Sequence, residues 1–217
     1  MRDITELVRV AFVMKAGTVV KDESRSVDNH QLIAEARHFM DDTTRPADAP
    51  VEIAPYDPSW PDRFGEEAER VGRVLAAWLV GPVEHIGSTA IPGLAAKPVI
   101  DIMAGVRTLD DSRPAIAAAA ELGYCYAPYQ VEIEHWFCKP SFAFRTHHLH
   151  LIPVGSPAWV RPIAFRDYLR VHAGVAAEYE VLKRRLAIEH RLDREAYTVA
   201  KRPFIDRVTD AALNARP

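Results

Sequence analysis

Residues 84–106, EHIGSTAIPGLAAKPVIDIMAGV, hold two short apolar runs separated by a Gly-Ser bend, with one aspartate inside the second run. Short apolar runs bounded by Gly and Pro read as buried strands, so VEHIG and KPVIDIMAGV predict two strands of one sheet. Gly87, directly after a strand, lets the backbone approach a ligand closely, and Ser88 and Thr89 add hydroxyl and amide donors suited to a phosphate. Such a bend is equally compatible with a plain tight turn. Asp101 sharpens the reading: flanked by Val99, Ile100 and Ile102, its carboxylate loses solvation and needs a cation or several donors. A structural lysine answers that need, and so does a divalent metal.

Working outward, residues 61–79 carry Phe64, Ala68, Val71, Leu75 and Leu79 at the spacing of an amphipathic helix. Residues 112–123 predict a second helix, entered through Pro114 and closed by Gly123. VEIEHWFCKP (131–140) and FAFRTHHLHLIPV (142–154) alternate as half-buried antiparallel strands do. From residue 164 onward the pattern is helical, with breaks expected near Gly174, Asp193 and Pro203. Strands with a helix between them, then a hairpin, then helices, predict an α+β (mixed α/β) fold: a mixed sheet flanked by helices, with a C-terminal helical region. Residues 51–155 form the expected sheet core and 156–217 the helices packed on it. Residues 1–50 read as an N-terminal extension containing a run at 5–14, a helix at 29–42 and a polar, Pro-containing linker.

Composition narrows the function classes. A net charge of -3 and 48% hydrophobic content describe an ordinary globular chain with no bulk attraction to nucleic acid. The most apolar stretch, residues 71–87, is interrupted by Arg73, Glu84 and His85, so no membrane span is expected, nor a signal peptide at the N-terminus; the cytoplasm is the expected location. Cys125 and Cys138 are too far apart in sequence for a zinc knuckle or a redox pair and read as reduced core residues. No G-x-G-x-x-G and no G-x-x-x-x-G-K-[ST] occurs, so dinucleotide and P-loop readings lack their cradle.

HIGSTAIPGLAAKPVIDI, with YDPSWPDRF upstream, HHLHL and FRDYLRVH downstream and the late YTVAKRPFI, resembles the GrpB-like family. That family is a branch of the nucleotidyltransferase superfamily and occurs as a C-terminal domain of bacterial dephospho-CoA kinases. The resemblance covers roughly residues 51–217 and implies a nucleotidyltransferase-like sheet. In that superfamily Gly-Ser is followed by Asp-x-Asp or Asp-x-Glu, with a third carboxylate on a neighbouring strand. Gly87, Ser88 and Asp101 match, but Met103 stands where the second carboxylate is expected, and a thioether does not replace carboxylate oxygen for Mg²⁺.

His148 and His150, two apart on a predicted strand, share a face opposite Leu149 and Leu151. If that strand neighbours Asp101, as the resemblance implies, Asp101, His148 and His150 converge as catalytic and metal-ligating residues for Mg²⁺, Mn²⁺ or Zn²⁺. The bland alternative is a half-exposed sheet face. By parity His147 and Arg145 point away, Arg145 returning only through a bulge. His135 ranks below the pair, and His85 is expected to orient the bend. Lys97 and Lys201 are expected to offset phosphate charge alongside Gly87, Ser88 and Thr89; Tyr197 and Lys201 lie four apart on one helix face. The runs KRR (183–185) and RDYLR (166–170) read as solvated helix faces.

Together these imply a metal-dependent nucleotidyltransferase-like protein that binds a nucleoside triphosphate and passes a nucleotidyl group to a small acceptor. The alternative is a non-catalytic nucleotide- or cofactor-binding module with a degenerate site. A zinc hydrolase ranks last, since no third histidine and no H-E-x-x-H helix accompanies the pair.

Overall fold

The structure, a computed structural model, describes residues 49–215 and, ahead of them, two short antiparallel strands, β1 (Met14–Lys15) and β2 (Thr18–Val19). The helix expected at 29–42 and most of the run at 5–14 lie outside the described residues.

Helix α1 (Trp60–Val74) opens where Pro61 fits the first turn and where the Asp57 carboxylate accepts from the Ser59 amide at 2.9 Å. It stops five residues short of the expected end, because Leu79 opens strand β3 (Leu79–Ile86) and pairs with Val106. There Leu79 packs against the core cluster, a gain the helical periodicity did not reveal. The 3₁₀ turn Ser88–Ala90 follows, then β4 (Ile100–Val106), α2 (Ala115–Glu121), β5 (Cys125–Ala127), β6 (His135–Pro140) and β7 (Arg145–Pro153). Helices α3 (Pro157–Val171), α4 (Ala173–Glu189) and α5 (Arg194–Asn214) complete the order.

The main sheet has five strands in the order β3-β4-β7-β6-β5, with β4 and β7 parallel and all other neighbours antiparallel. This is the mixed α+β fold expected. Alternation sorts the side chains. Ile100, Ile102, Ala104 and Val106 of β4 join Leu149 and Leu151 of β7 and Phe137 of β6 under α1 and α2. Each fully buried aliphatic side chain there stabilises the fold by roughly 1.5–3 kcal/mol. The other face carries Asp101, Met103, His148 and His150, and it is the face on which α3 packs, Trp159 meeting Met103, Ile86 and Ile152.

Several expectations need correction. Strand β6 begins at His135 rather than Val131, since Gln130 turns the chain at φ +52° and its carbonyl accepts from the Ile133 and Glu134 amides. Pro203 lies inside α5 and does not break it, while the break expected at Gly174 falls two residues earlier, at His172. Asp193 does mark a helix start, its carboxylate accepting from the Ala196 amide at 2.8 Å. Strand β5 was not anticipated. It brings Cys125 directly opposite Cys138, so distance in sequence did not keep the cysteines apart; both are buried.

Candidate metal and phosphate site

The bend after β3 is built around one close approach. Gly87 has φ +71°, and a Cβ on it would lie 2.1 Å from the Asp101 Oδ2 atom. Only glycine lets this backbone lie against the carboxylate. Asp101 is held there because it pairs in register with Ile86, on the far side from the apolar core.

Two arginines pin the bend. Arg166 donates to the His85 carbonyl at 3.0 Å and to Glu84 at 2.6 Å, and Arg170 donates twice to the Ala90 carbonyl. Arg166 is only 8% exposed, so the RDYLR run is not the solvated face expected of it. Its role is legible only with the structure: the guanidinium binds a carbonyl near the end of the strand. Thr89 is likewise inward, its hydroxyl donating to the Val99 carbonyl and contacting His85 Nε2. That places the Thr89 side chain in the scaffold and away from the cavity, and gives His85, stacked on Phe64, the orienting part expected of it.

Asp101 and His148 are register partners on parallel strands, and Asp101 Oδ1 accepts from His148 Nδ1 at 2.8 Å. Burial works against the Asp101 charge, but the hydrogen bond from His148 and the positive surroundings outweigh it and hold the group at about 2. Burial pulls His148 down to about 4 against the attraction of Asp101, so the imidazole is neutral near pH 7. Its Nδ1 proton faces Asp101, and its Nε2 lone pair is buried with no hydrogen-bond partner. An orphaned acceptor of this kind calls for an occupant.

His150 is held differently. Its Nδ1 meets Glu134 Oε2 at 2.5 Å, and the carboxylate overcomes the effect of burial and raises the His150 value. Glu134 was missed in the sequence, although it shares the parity of Trp136 and so the face of the histidines. One ligand atom each from Asp101, His148 and His150 lies within 4.8 Å of the others. A donor set of one carboxylate and two imidazoles fits Mn²⁺ or Zn²⁺ better than Mg²⁺.

Above this trio opens a cavity of about 630 Å³. Ser88, Lys97, Lys183 and Lys201 line it with Asp101, His148 and His150. Lys183 corrects the expectation for KRR: it is 1% exposed, bonds the Ala95 carbonyl and lies over the Tyr179 ring. Arg145 also reaches the cavity, its guanidinium 5.2 Å from the Trp136 ring. The bulge that this requires is present: Lys139 pairs with His147 but Pro140 pairs with Arg145, so Thr146 is the extra residue. His147 and His135 point to the other face, His135 bonding the Leu109 carbonyl at 2.9 Å.

Among the described residues none of the three lysines forms an ion pair with a carboxylate. Burial, with the charges of Arg194 and Lys201, lowers Lys97 to about 7, and burial lowers Lys201 to about 8. A lysine whose value drops on folding destabilises the fold while it is charged, and that cost is relieved only as pH rises from about 8 towards its unfolded value. Lys201→Met is therefore expected to raise stability at pH 7 by about 2 kcal/mol, a few degrees in Tm, with the gain fading towards pH 10. Differential scanning calorimetry at the two pH values checks this; a loss of stability at pH 7 contradicts it.

Fold and site together describe a mixed-sheet protein with a glycine bend lying against one strand aspartate. Residues 50–211 match the family model described as GrpB protein, and the chain belongs to the GrpB family. It is 38% identical over 169 residues to a UPF0157 protein of Pseudomonas aeruginosa, covering 76% of this chain and 69% of that one. It is 27% identical over 206 residues to a dephospho-CoA kinase of Mycolicibacterium paratuberculosis, covering 83% of this chain and half of the kinase. The crystal structure of the conserved protein GrpB from Enterococcus faecalis superposes with a TM-score of 0.69 at 32% identity, covering 75% of this chain and 98% of that one. No helix among the described residues is long and apolar enough to cross a membrane.

Proposed function

We propose that the cavity binds a nucleoside triphosphate with one divalent cation, and that a nucleotidyl group passes from it to a small acceptor. The observation that carries this reading is the convergence of one ligand atom each from Asp101, His148 and His150 to within 4.8 Å, beneath lysines with no carboxylate partner. Asp101, His148 and His150 would hold the metal, which supplies charge neutralisation at a phosphoryl oxygen. Ser88 and the Gly87 bend offer donors to the phosphates, and Lys97, Lys183 and Lys201 offset their charge. In the transfer an acceptor oxygen bonds to the α-phosphorus, the bond to the bridging oxygen breaks, pyrophosphate leaves and the acceptor proton passes to solvent.

Titration calorimetry with ATP, CTP, GTP and UTP in the presence of Mn²⁺, Zn²⁺ or Mg²⁺ tests the binding. A polyphosphate stabilises charged lysine, so protons are taken up on binding near pH 8, and the measured enthalpy depends on the buffer's ionisation enthalpy. Below about pH 6 the lysines are already charged and their part of the proton uptake ceases. Folded protein that binds none of the four with any of the metals ends the proposal.

A second reading, binding without turnover, is favoured by one observation. Met103 is fully buried against Trp159, so the position of a second carboxylate is filled by apolar packing. Pyrophosphate release from bound nucleotide separates the two readings.

A further inference from the structure

The cavity has two chemically distinct zones. Its floor holds the aspartate, the histidines and the lysines. Its mouth is edged by Tyr129, Leu192 and Val199, which are 40%, 73% and 52% exposed. Single exposed apolar residues are ordinary, but these three come from separate places in the chain and converge on one opening. Tyr129 stands in the turn before β6, Leu192 between α4 and α5, and Val199 on α5. Rings connect mouth to floor: Tyr129 lies 6.5 Å from Trp136, and Trp136 lies 5.0 Å from His148.

We infer that this rim is a nucleobase subsite, with the base against Tyr129, Leu192 and Val199 while the phosphates reach the floor. The inference rests on the proposed function and specifies how the ligand lies within that cavity. A planar heteroaromatic group suits the rim because it offers a π face to a tyrosine and two aliphatic side chains and keeps its polar edge in water. A long acyl chain does not suit it, since the interior beyond the rim is charged and would leave the chain no apolar channel. Contact with a π face and aliphatic carbon is tolerant of base identity, so the subsite is expected to accept purines and pyrimidines alike.

The test compares ATP and UTP with inorganic tripolyphosphate, titrated calorimetrically with Mn²⁺ into the full chain and into a Tyr129→Ala, Leu192→Ser, Val199→Ser variant. All three positions are partly or largely exposed, so the variant is expected to fold, which circular dichroism checks. The unaltered protein binds the nucleotides about tenfold more tightly than tripolyphosphate. The variant loses that tenfold and keeps its affinity for tripolyphosphate. Equal affinities in the unaltered protein, or a preference that survives in the variant, overturn the subsite and leave the phosphate reading intact. Failure of all three probes to bind the unaltered protein removes the phosphate reading itself, and the subsite with it.

Discussion

Asp101→Asn lowers the affinity of the protein for Mn²⁺ or Zn²⁺ by about a hundredfold or more and leaves the fold intact. The amide has the size of the carboxylate, and its oxygen still accepts from His148 Nδ1, now 2.8 Å away. What it lacks is charge. Asp101 is the only member of the trio that is anionic, and its attraction also raises the values of Lys97 and Lys201. Without it, metal loses its hard oxygen donor, and the two lysines lose a neighbour that favours their protonated forms. Metal titrated into the variant, with Tm followed in parallel, reads both halves of the expectation. Unchanged metal affinity in a folded variant would mean that the two histidines bind without the strand aspartate, and the trio would be dismissed.

The second large effect belongs to Gly87→Ala. The backbone at Gly87, with φ +71° and ψ -173°, occupies a region that is essentially reserved for glycine. The new methyl group would also lie 2.1 Å from Asp101 Oδ2 and 2.9 Å from its Cγ, well inside contact distance. The bend has little freedom to yield, because Arg166 and Arg170 grip the carbonyls on either side of it. Asp101 must therefore swing away from His148 or the strand end must shift. A loss of roughly 2–4 kcal/mol is expected, with metal affinity falling alongside it. The cause can be divided by a double-mutant cycle: in an Asp101→Ala background the clashes with Oδ2 and Cγ disappear, a 3.1 Å approach to Cβ stays and the backbone part remains, so the penalty shrinks. A cost near zero in the original background would show that the bend and the carboxylate are not coupled.

Part of the sheet was legible because the later strands alternate. Leu149 and Leu151 against His148 and His150 assign faces without any structure, and that assignment stands, whereas the apolar run around Asp101 did not reveal that Asp101 and Met103 face away from Ile100 and Ile102. Glu134 was legible by the same rule from Trp136 but sits in the turn before β6, where periodicity carries little weight. Arg145 followed the rule only after its exception, since local pattern does not announce a bulge at Thr146. Arg166 and Lys183 were missed for a different reason. Their partners are the backbone carbonyls of His85 and Ala95, more than eighty residues away, and carbonyls leave no mark in a sequence. Thr89 shows the converse: a hydroxyl beside a glycine looks available for a ligand until a carbonyl from the next strand claims it.

Gly81 and Gly105 lie where Val154 and the Trp159 ring press onto the strands, and a Cβ on Gly105 would meet Val154 at 2.5 Å and Trp159 at 3.2 Å. Helix α3 is thus seated as deeply as the backbone allows, directly over Met103. An acid introduced at position 103 would place a charge beneath an indole at a fully buried position, at a cost of several kcal/mol. Seating a carboxylate at this position therefore takes coordinated changes in the helix, its aromatic anchor and the small residues beneath it.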